Sequence, residues 1–155
     1  MIAGSYLDAS AIVDFVLSPP EGTPRRLAKI RQLIVLPMCY EAAVRLLDNR
    51  QSKPPTQWHE FASAVKHLNE ELEKGTDLVR LSLPPGNLEE GRKEAEALAA
   101  TYQLDIIDAL QLQQLKLAFD ADPLGTLLTI SDDLKEAATR EGLKVWNYLR
   151  DLEPL

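Results

Sequence analysis

The chain has 155 residues, 45% of them hydrophobic and 26% charged, with a formal net charge of −7. These values fit one ordinary globular domain with a substantial core. The acidic balance argues against a protein that coats nucleic acid by bulk electrostatics, although an enzyme can still hold nucleic acid through a local basic patch and a metal.

Cys39 is the single cysteine, so an intrachain disulfide is excluded and a reducing compartment is expected. No stretch nears the roughly 20 apolar residues that cross a bilayer, and no charged segment followed by an apolar one opens the chain. The expected location is the cytoplasm.

In chain order, residues 3–7 read as a short strand with Asp8 at its end, and Ser10 as the cap of a helix from Ala11 to about Leu17. After a loop of Pro19, Pro20 and Gly22, Thr23-Pro24 starts a helix that carries Arg25, Arg26, Lys29 and Arg31 with no acid among them. Residues 33–36 are an apolar run of the kind used for buried parallel strands, closed by Pro37. A helix from about Met38 to Leu47 follows. Thr56, after Pro54-Pro55, is placed to cap a long helix to about Glu73, with Gly75 as its stop.

Residues 78–83 read as a third strand. Beyond Pro84-Pro85-Gly86 comes an amphipathic helix from Leu88 to Tyr102, then a central helix that begins near Leu104 and ends near Phe119. A fourth strand over 126–130, a helix from Asp132 to about Arg140 capped by Ser131 and ended by Gly142, and a short strand over 143–146 complete the chain. Strands alternating with helices, with no repeat or linker, predict one α/β domain over 1–155. Its core is a mostly parallel sheet of four or five short strands flanked by helices.

The central helix poses the sharpest chemical question. It is apolar around most of its circumference, and Asp108 falls in the same arc as Leu104, Leu112, Leu115 and Phe119. A carboxylate there is costly unless it is paired, hydrogen-bonded or bound to a metal. Asp105, three residues earlier at the helix start, reads as the cap. In open α/β sheets ligands gather beyond the C-terminal strand ends. Asp8 stands at one such end, Ser131, Asp132 and Asp133 just after another, and Glu41 in the helix after the second strand. Carboxylates without cysteine or paired histidine suit hard, oxygen-seeking ions such as Mg²⁺ or Mn²⁺.

Four stretches together resemble PIN-domain ribonucleases. Tyr6-Leu7-Asp8-Ala9-Ser10-Ala11 resembles the family's first strand end, and Tyr40-Glu41 with Leu46 its acidic residue after the second strand. Asp108-Ala109-Leu110 resembles its Asp-Ala-Leu signature. Thr129, Asp132, Leu134, Ala137-Ala138, Gly142-Leu143 and Val145 resemble its closing strand–helix–strand unit. The likeness runs from about Tyr6 to Trp146, with one departure: Ser131 stands where members with a fourth acid usually carry an aspartate.

The resemblance implies a PIN-like fold and an Mg²⁺- or Mn²⁺-dependent endoribonuclease, most like the VapC-type toxins of bacterial toxin–antitoxin pairs. Such toxins usually form homodimers and are silenced by an antitoxin protein. It further implies that Asp8, Glu41 and Asp108 hold the metal and act in catalysis. Asp132 or Ser131 would complete the set, with Ser10, Thr129 and Ser131 supporting it.

Each of these residues also has an ordinary structural reading. Asp8 and Ser10 are both acceptable helix caps, Asp108 could pair with an arginine, and Asp132 suits the first turn of a helix. Glu41 lies off the apolar arc of its helix and by periodicity is a solvated glutamate. The basic helix with Arg25 and Lys29 is either a solvated face or a guide for an RNA backbone, with Arg45, Arg50 and Lys53 a weaker second candidate. Trp58 and Trp146 read as core or interface residues. His59 and His67 are eight apart and do not form a zinc pair. Two alternatives stand beside the nuclease: a PIN-fold binding or scaffold protein that no longer cleaves, and a receiver-like or phosphatase-like domain with a phosphorylatable Asp8.

Overall fold

The computed structural model describes residues 4–49, 53–83 and 88–151. Ala3, Arg50 and the Pro84-Pro85-Gly86 punctuation lie outside the described residues. Among the described residues five short strands make one all-parallel sheet in the order β3-β2-β1-β4-β5. They are β1 (Ser5–Leu7), β2 (Leu33–Val35), β3 (Leu78–Arg80), β4 (Thr126–Thr129) and β5 (Val145–Asn147). The helices are α1 (Ala9–Leu17), α2 (Thr23–Leu27), α3 (Pro37–Asp48), α4 (Trp58–Lys74), α5 (Leu88–Tyr102), α6 (Ile106–Ala121) and α7 (Asp132–Arg140).

The central strands are buried along their whole length, as expected when helices cover a parallel sheet. Tyr6 lies opposite Ile34 and Leu127, and Leu7 opposite Leu128, so β1 is the middle of the sheet. The chain winds outward from β1 through β2 to β3, then restarts on the other side of β1 with β4 and β5. The gap between β1 and β4 is therefore the topological switch point, where such sheets open a crevice at their C-terminal edge.

Several element ends differ from the sequence reading. Helix α2 spans only five residues, with Gly22 rather than Thr23 in the cap position and Ala28 at its end. Lys29 and Arg31 fall in the turn beyond. Helix α4 starts at Trp58 after a short 3₁₀ turn over Pro55–Gln57, so Thr56 is not its cap. Gly75 does stop it, in the left-handed conformation at φ 66°. Trp146 is buried in the core, whereas Trp58 stays partly exposed. Among the described residues no helix is long and apolar enough to cross a membrane.

Helix α6 packs against α5 and α3, with contacts to α7. Its buried arc contains Leu112, Leu115 and Phe119, as the helical wheel predicts, but also Gln111 and Gln113. Two of its glutamines cap other helices. Gln111 Oε1 accepts the Ala9 N–H at 2.8 Å, and Gln114 Oε1 accepts the Met38 N–H at 2.9 Å. Both amides lie in the first turn of a helix and lack an intrahelical acceptor. A helix central to the packing thus also fixes the entry points of α1 and α3.

Candidate functional site

Asp8 leaves β1 and caps α1. Its Oδ1 accepts the Ala11 N–H at 2.9 Å, so the helix opens at Ala9. Ser10, read from sequence as the cap, lies inside the helix and turns its hydroxyl back onto the same carboxylate, 2.8 Å from Oδ1 and 3.0 Å from Oδ2. Thr129, at the end of β4, donates to Oδ2 at 2.7 Å. Both hydroxyls are held in turn. Ile130 N–H donates to Ser10 Oγ at 3.1 Å, and Ser131 N–H to Thr129 Oγ1 at 2.9 Å. The backbone that leaves β4 therefore orients the groups that hold Asp8.

Asp8 is only 2% exposed. Burial pushes its carboxyl up to about 6, the hydroxyl and amide donors pull it back, and the charge of Asp108 adds to the rise. Asp108, in the first turn of α6, is half-buried. Burial also raises its carboxyl, followed by the charges of Asp105 and Asp133. Asp105 caps α6 through the Ile107 N–H at 2.7 Å. Asp108 Oδ1 accepts from Gln111 Nε2 at 3.2 Å. Among the described residues neither Asp8 nor Asp108 has an ion pair.

Both acids line a cavity of about 420 Å³ at the C-terminal edge of the sheet. Ala9 and Ser10 contribute from α1, and Asp105, Ile107 and Gln111 from around the start of α6. Ala42, Arg45, Leu46 and Asn49 form the α3 side, and Ser131 stands at the start of α7. Acidic and polar groups thus share the cavity with the apolar side chains of Leu46 and Ile107. Arg45 brings a positive charge to it.

The other sequence candidates are placed differently. Glu41 is exposed on α3, one turn before Arg45 in the row Glu41–Arg45–Asn49, and is not part of the cavity lining. Asp132 turns toward β5 and the segment after it, accepting from Asn147 Nδ2 at 3.4 Å and pairing with Arg150. Ser131, not Asp132, faces the cavity, and it caps α7 through the Leu134 N–H at 3.4 Å.

Arg25 and Lys29 lie toward the opposite edge. Arg25 stacks over Phe15 at 4.2 Å, touches His67 Nε2 at 2.5 Å and lies 3.7 Å from the buried Glu71. Lys29 is 3.8 Å from Asp77, which precedes β3. Among the described candidates for RNA contact (Arg25, Lys29, Arg45 and Lys53), Arg45 alone lines the cavity.

Two residues escaped the sequence reading. Asn49 lines the cavity from just beyond the end of α3. Gln111 joins the start of α1 to Asp108. The clue to Gln111 was available, since a glutamine in a buried arc is the same kind of anomaly as Asp108. Cys39 is fully buried, and burial together with the charge of Asp8 raises its thiol, which disfavours a nucleophilic role.

The donor chemistry suits a hard divalent cation. Asp8 and Asp108 face one cavity, with the cap Asp105 beside them and, among the described residues, no ion-pair partner on either. Burial together with neighbouring carboxylates (Asp108 for Asp8; Asp105 and Asp133 for Asp108) disfavours their charge. Mg²⁺ commonly takes one or two protein carboxylates and completes its octahedron with water and substrate phosphate. Asp8 and Asp108 would hold it. Among the described residues no three His, Cys, Asp or Glu side chains form a ready-made metal cluster.

No protein-family model and no curated protein matches the chain. Among solved structures it is similar to the crystal structure of PAE2754 from Pyrobaculum aerophilum, with a TM-score of 0.59 and 20% identity. The match covers 95% of this chain and 92% of that one. At that identity the likeness establishes the α/β fold.

Proposed function

We propose that the chain is a PIN-type endoribonuclease that uses Mg²⁺ or Mn²⁺ to hydrolyse RNA phosphodiester bonds. The proposal extends to the toxin of a type II toxin–antitoxin pair, a cytoplasmic homodimer silenced by an antitoxin protein. One observation carries it. Asp8 and Asp108, 100 residues apart in sequence, open on one cavity at the switch point of the sheet, both disfavoured as anions and neither paired. A bound divalent cation would neutralise this floor for an anionic substrate and supply Lewis-acid catalysis of hydrolysis.

The chain's own residues do the rest. Ser10 and Thr129 hold the Asp8 carboxylate in one orientation, and the Ile130 and Ser131 amides hold those hydroxyls. Asp108 completes the acidic pair, Arg45 meets a flanking phosphate, and Leu46 and Ile107 give a base an apolar surface. Glu41, the third acid that the resemblance implies, would have to reach the metal from the exposed face of α3, outside the cavity lining. Hydrolysis adds the water oxygen to phosphorus and breaks the P–O3′ bond, leaving 5′-phosphate and 3′-hydroxyl ends.

A second reading is a PIN-fold binding module that no longer cleaves. The observation that favours it is Glu41, exposed outside the cavity lining, together with the serine at position 131. Cleavage of a mixed RNA pool, titrated with Mg²⁺ or Mn²⁺, separates the two. The nuclease reading expects 5′-phosphate ends with the native protein and none with Asp8→Asn, Asp108→Asn or excess EDTA. Full activity in purified Asp108→Asn protein would sink the assignment. Metal-independent RNA binding without cleavage would leave the second reading standing.

A further inference from the structure

Gln111 is 1% exposed and lies one helical turn beyond Asp108 on α6. Its two ends meet groups of different kinds. Oε1 accepts the Ala9 N–H at 2.8 Å, a buried bond to the residue that follows Asp8. Nε2 donates to Asp108 Oδ1 at 3.2 Å and to the Ile107 carbonyl at 3.4 Å. The assignment of the amide's two ends follows from chemistry. Ala9 N–H can only donate, so the oxygen must face it and the NH₂ must face Asp108. Flipping the amide would set donor against donor on one side and oxygen against carboxylate on the other.

A carboxylate's last torsion is broad, so a half-buried aspartate without a fixed donor samples many orientations. The Gln111 amide limits that freedom and refers Asp108 to the backbone at Asp8. The neighbouring glutamines differ. Gln114 caps α3 at Met38, and Gln113 is buried with its side chain against Gly91. We propose that Gln111 is a positioning residue that fixes the Asp108 carboxylate against the Asp8 strand end and thereby sets the divalent-cation affinity of the cavity. This rests on the metal-site reading above. Groups that orient metal ligands from behind are commonly worth about 10–100-fold in affinity.

The test is Mn²⁺ titration of the full chain by calorimetry, with thermal unfolding of each variant in EDTA. Gln111→Met removes both bonds at similar volume, and Gln111→Ala leaves room for water on the Ala9 amide if the first variant folds poorly. Gln113→Met makes the same chemical change elsewhere in the buried part of α6. The expected result is Mn²⁺ affinity weaker by about 10–100-fold in the Gln111 variants and unchanged in Gln113→Met, even where both lower the unfolding temperature. Wild-type affinity in the Gln111 variants would overturn the positioning role while leaving the metal site intact, as would equal weakening in Gln113→Met. A native protein that binds no Mn²⁺, or whose binding survives Asp8→Asn and Asp108→Asn alike, would overturn the metal site and this inference together.

Discussion

Asp8 and Asp122 serve opposite ends of the same strand, β1, and they live in different chemical worlds. Asp122, at the end of α6, accepts the Gly4 N–H and the Tyr6 hydroxyl, both at 2.9 Å. Gly4 permits that approach, since a Cβ there would sit 2.4 Å from Ile34 Cδ1 and 3.2 Å from Asp122 Oδ2. Burial and the Asp122 bond push the Tyr6 hydroxyl up to about 12, so the phenol remains a donor throughout the useful pH range. Asp8 also accepts hydrogen bonds, yet burial outweighs them and Asp108 adds a second negative charge to its surroundings. One end of the strand holds a carboxylate that ties the fold together. The other holds a carboxylate that the fold keeps in an unfavourable state, the feature on which the proposed metal site rests.

The largest effect expected from breaking this contrast is on activity. Under the nuclease reading, Asp8→Asn keeps the size and the cap but loses the charge, and RNA cleavage falls by at least about 10³-fold, some 4 kcal/mol of transition-state stabilisation. Asp122→Ala, assayed well below its unfolding temperature, should leave the rate within a few-fold of the native value. Comparable losses in both variants would mean that the two ends are not chemically distinct.

The next effect is on stability against pH with no divalent cation present. The Asp8 carboxyl rises from 3.8 to about 6 on folding. Between these values the native state binds more protons than the unfolded state, so stability falls as pH rises through the window. The cost at neutral pH is about 2 kcal/mol relative to pH 4. Urea unfolding from pH 4 to 7 should reveal this slope, other carboxylates adding their own. Asp8→Asn should lose the Asp8 part, and Mg²⁺ should flatten the slope in the native chain. A slope that ignores both changes would assign it to other groups.

Part of this contrast was legible in the sequence, and the physical reasons divide sharply. Periodicity identified Asp108, because the arc it shares with Leu112, Leu115 and Phe119 is a local property of one helix. The same logic, applied to polar as well as charged residues, would have reached Gln111. The parallel sheet was legible from the alternation of elements, but strand ends ran short: β3 stops at Arg80, two residues after Leu78. Asp8 and Ser10 both suit a helix cap, and only the point where β1 ends decides between them. The orientation of Asp132 is set by Asn147 and Arg150, 15 and 18 residues away, through the docking of β5. The edge to which Arg25 and Lys29 belong likewise depends on sheet topology. Glu41 never had a signal from periodicity, and its promotion came from resemblance alone.

At the anchoring end, Asp122→Ala removes the acceptor of two part-buried donors, Gly4 N–H and Tyr6 O–H. The unfolding free energy should fall by about 2 kcal/mol, the usual penalty for leaving such groups unsatisfied. Tyr6→Phe restores balance on one side of the pair, so the double variant should lose less than the sum of the single ones. Additive losses in urea unfolding would show that Asp122 and Tyr6 are not coupled.

The smallest effect separates the basic residues at the two edges. Arg45 lines the acidic cavity, whereas Lys29 lies 3.8 Å from Asp77 just ahead of β3. If RNA enters at the C-terminal edge, Arg45→Ala removes about one phosphate contact, weakening binding by roughly 1 kcal/mol and reducing the salt dependence by nearly one unit of log slope. Lys29→Ala should change neither quantity, because its charge faces the opposite edge of the sheet. Binding isotherms in Asp8→Asn protein, which should hold RNA without cutting it, can resolve a difference of this size across a series of salt concentrations. A larger loss from Lys29→Ala than from Arg45→Ala would move the RNA path to the N-terminal edge and detach it from the Asp8–Asp108 cavity.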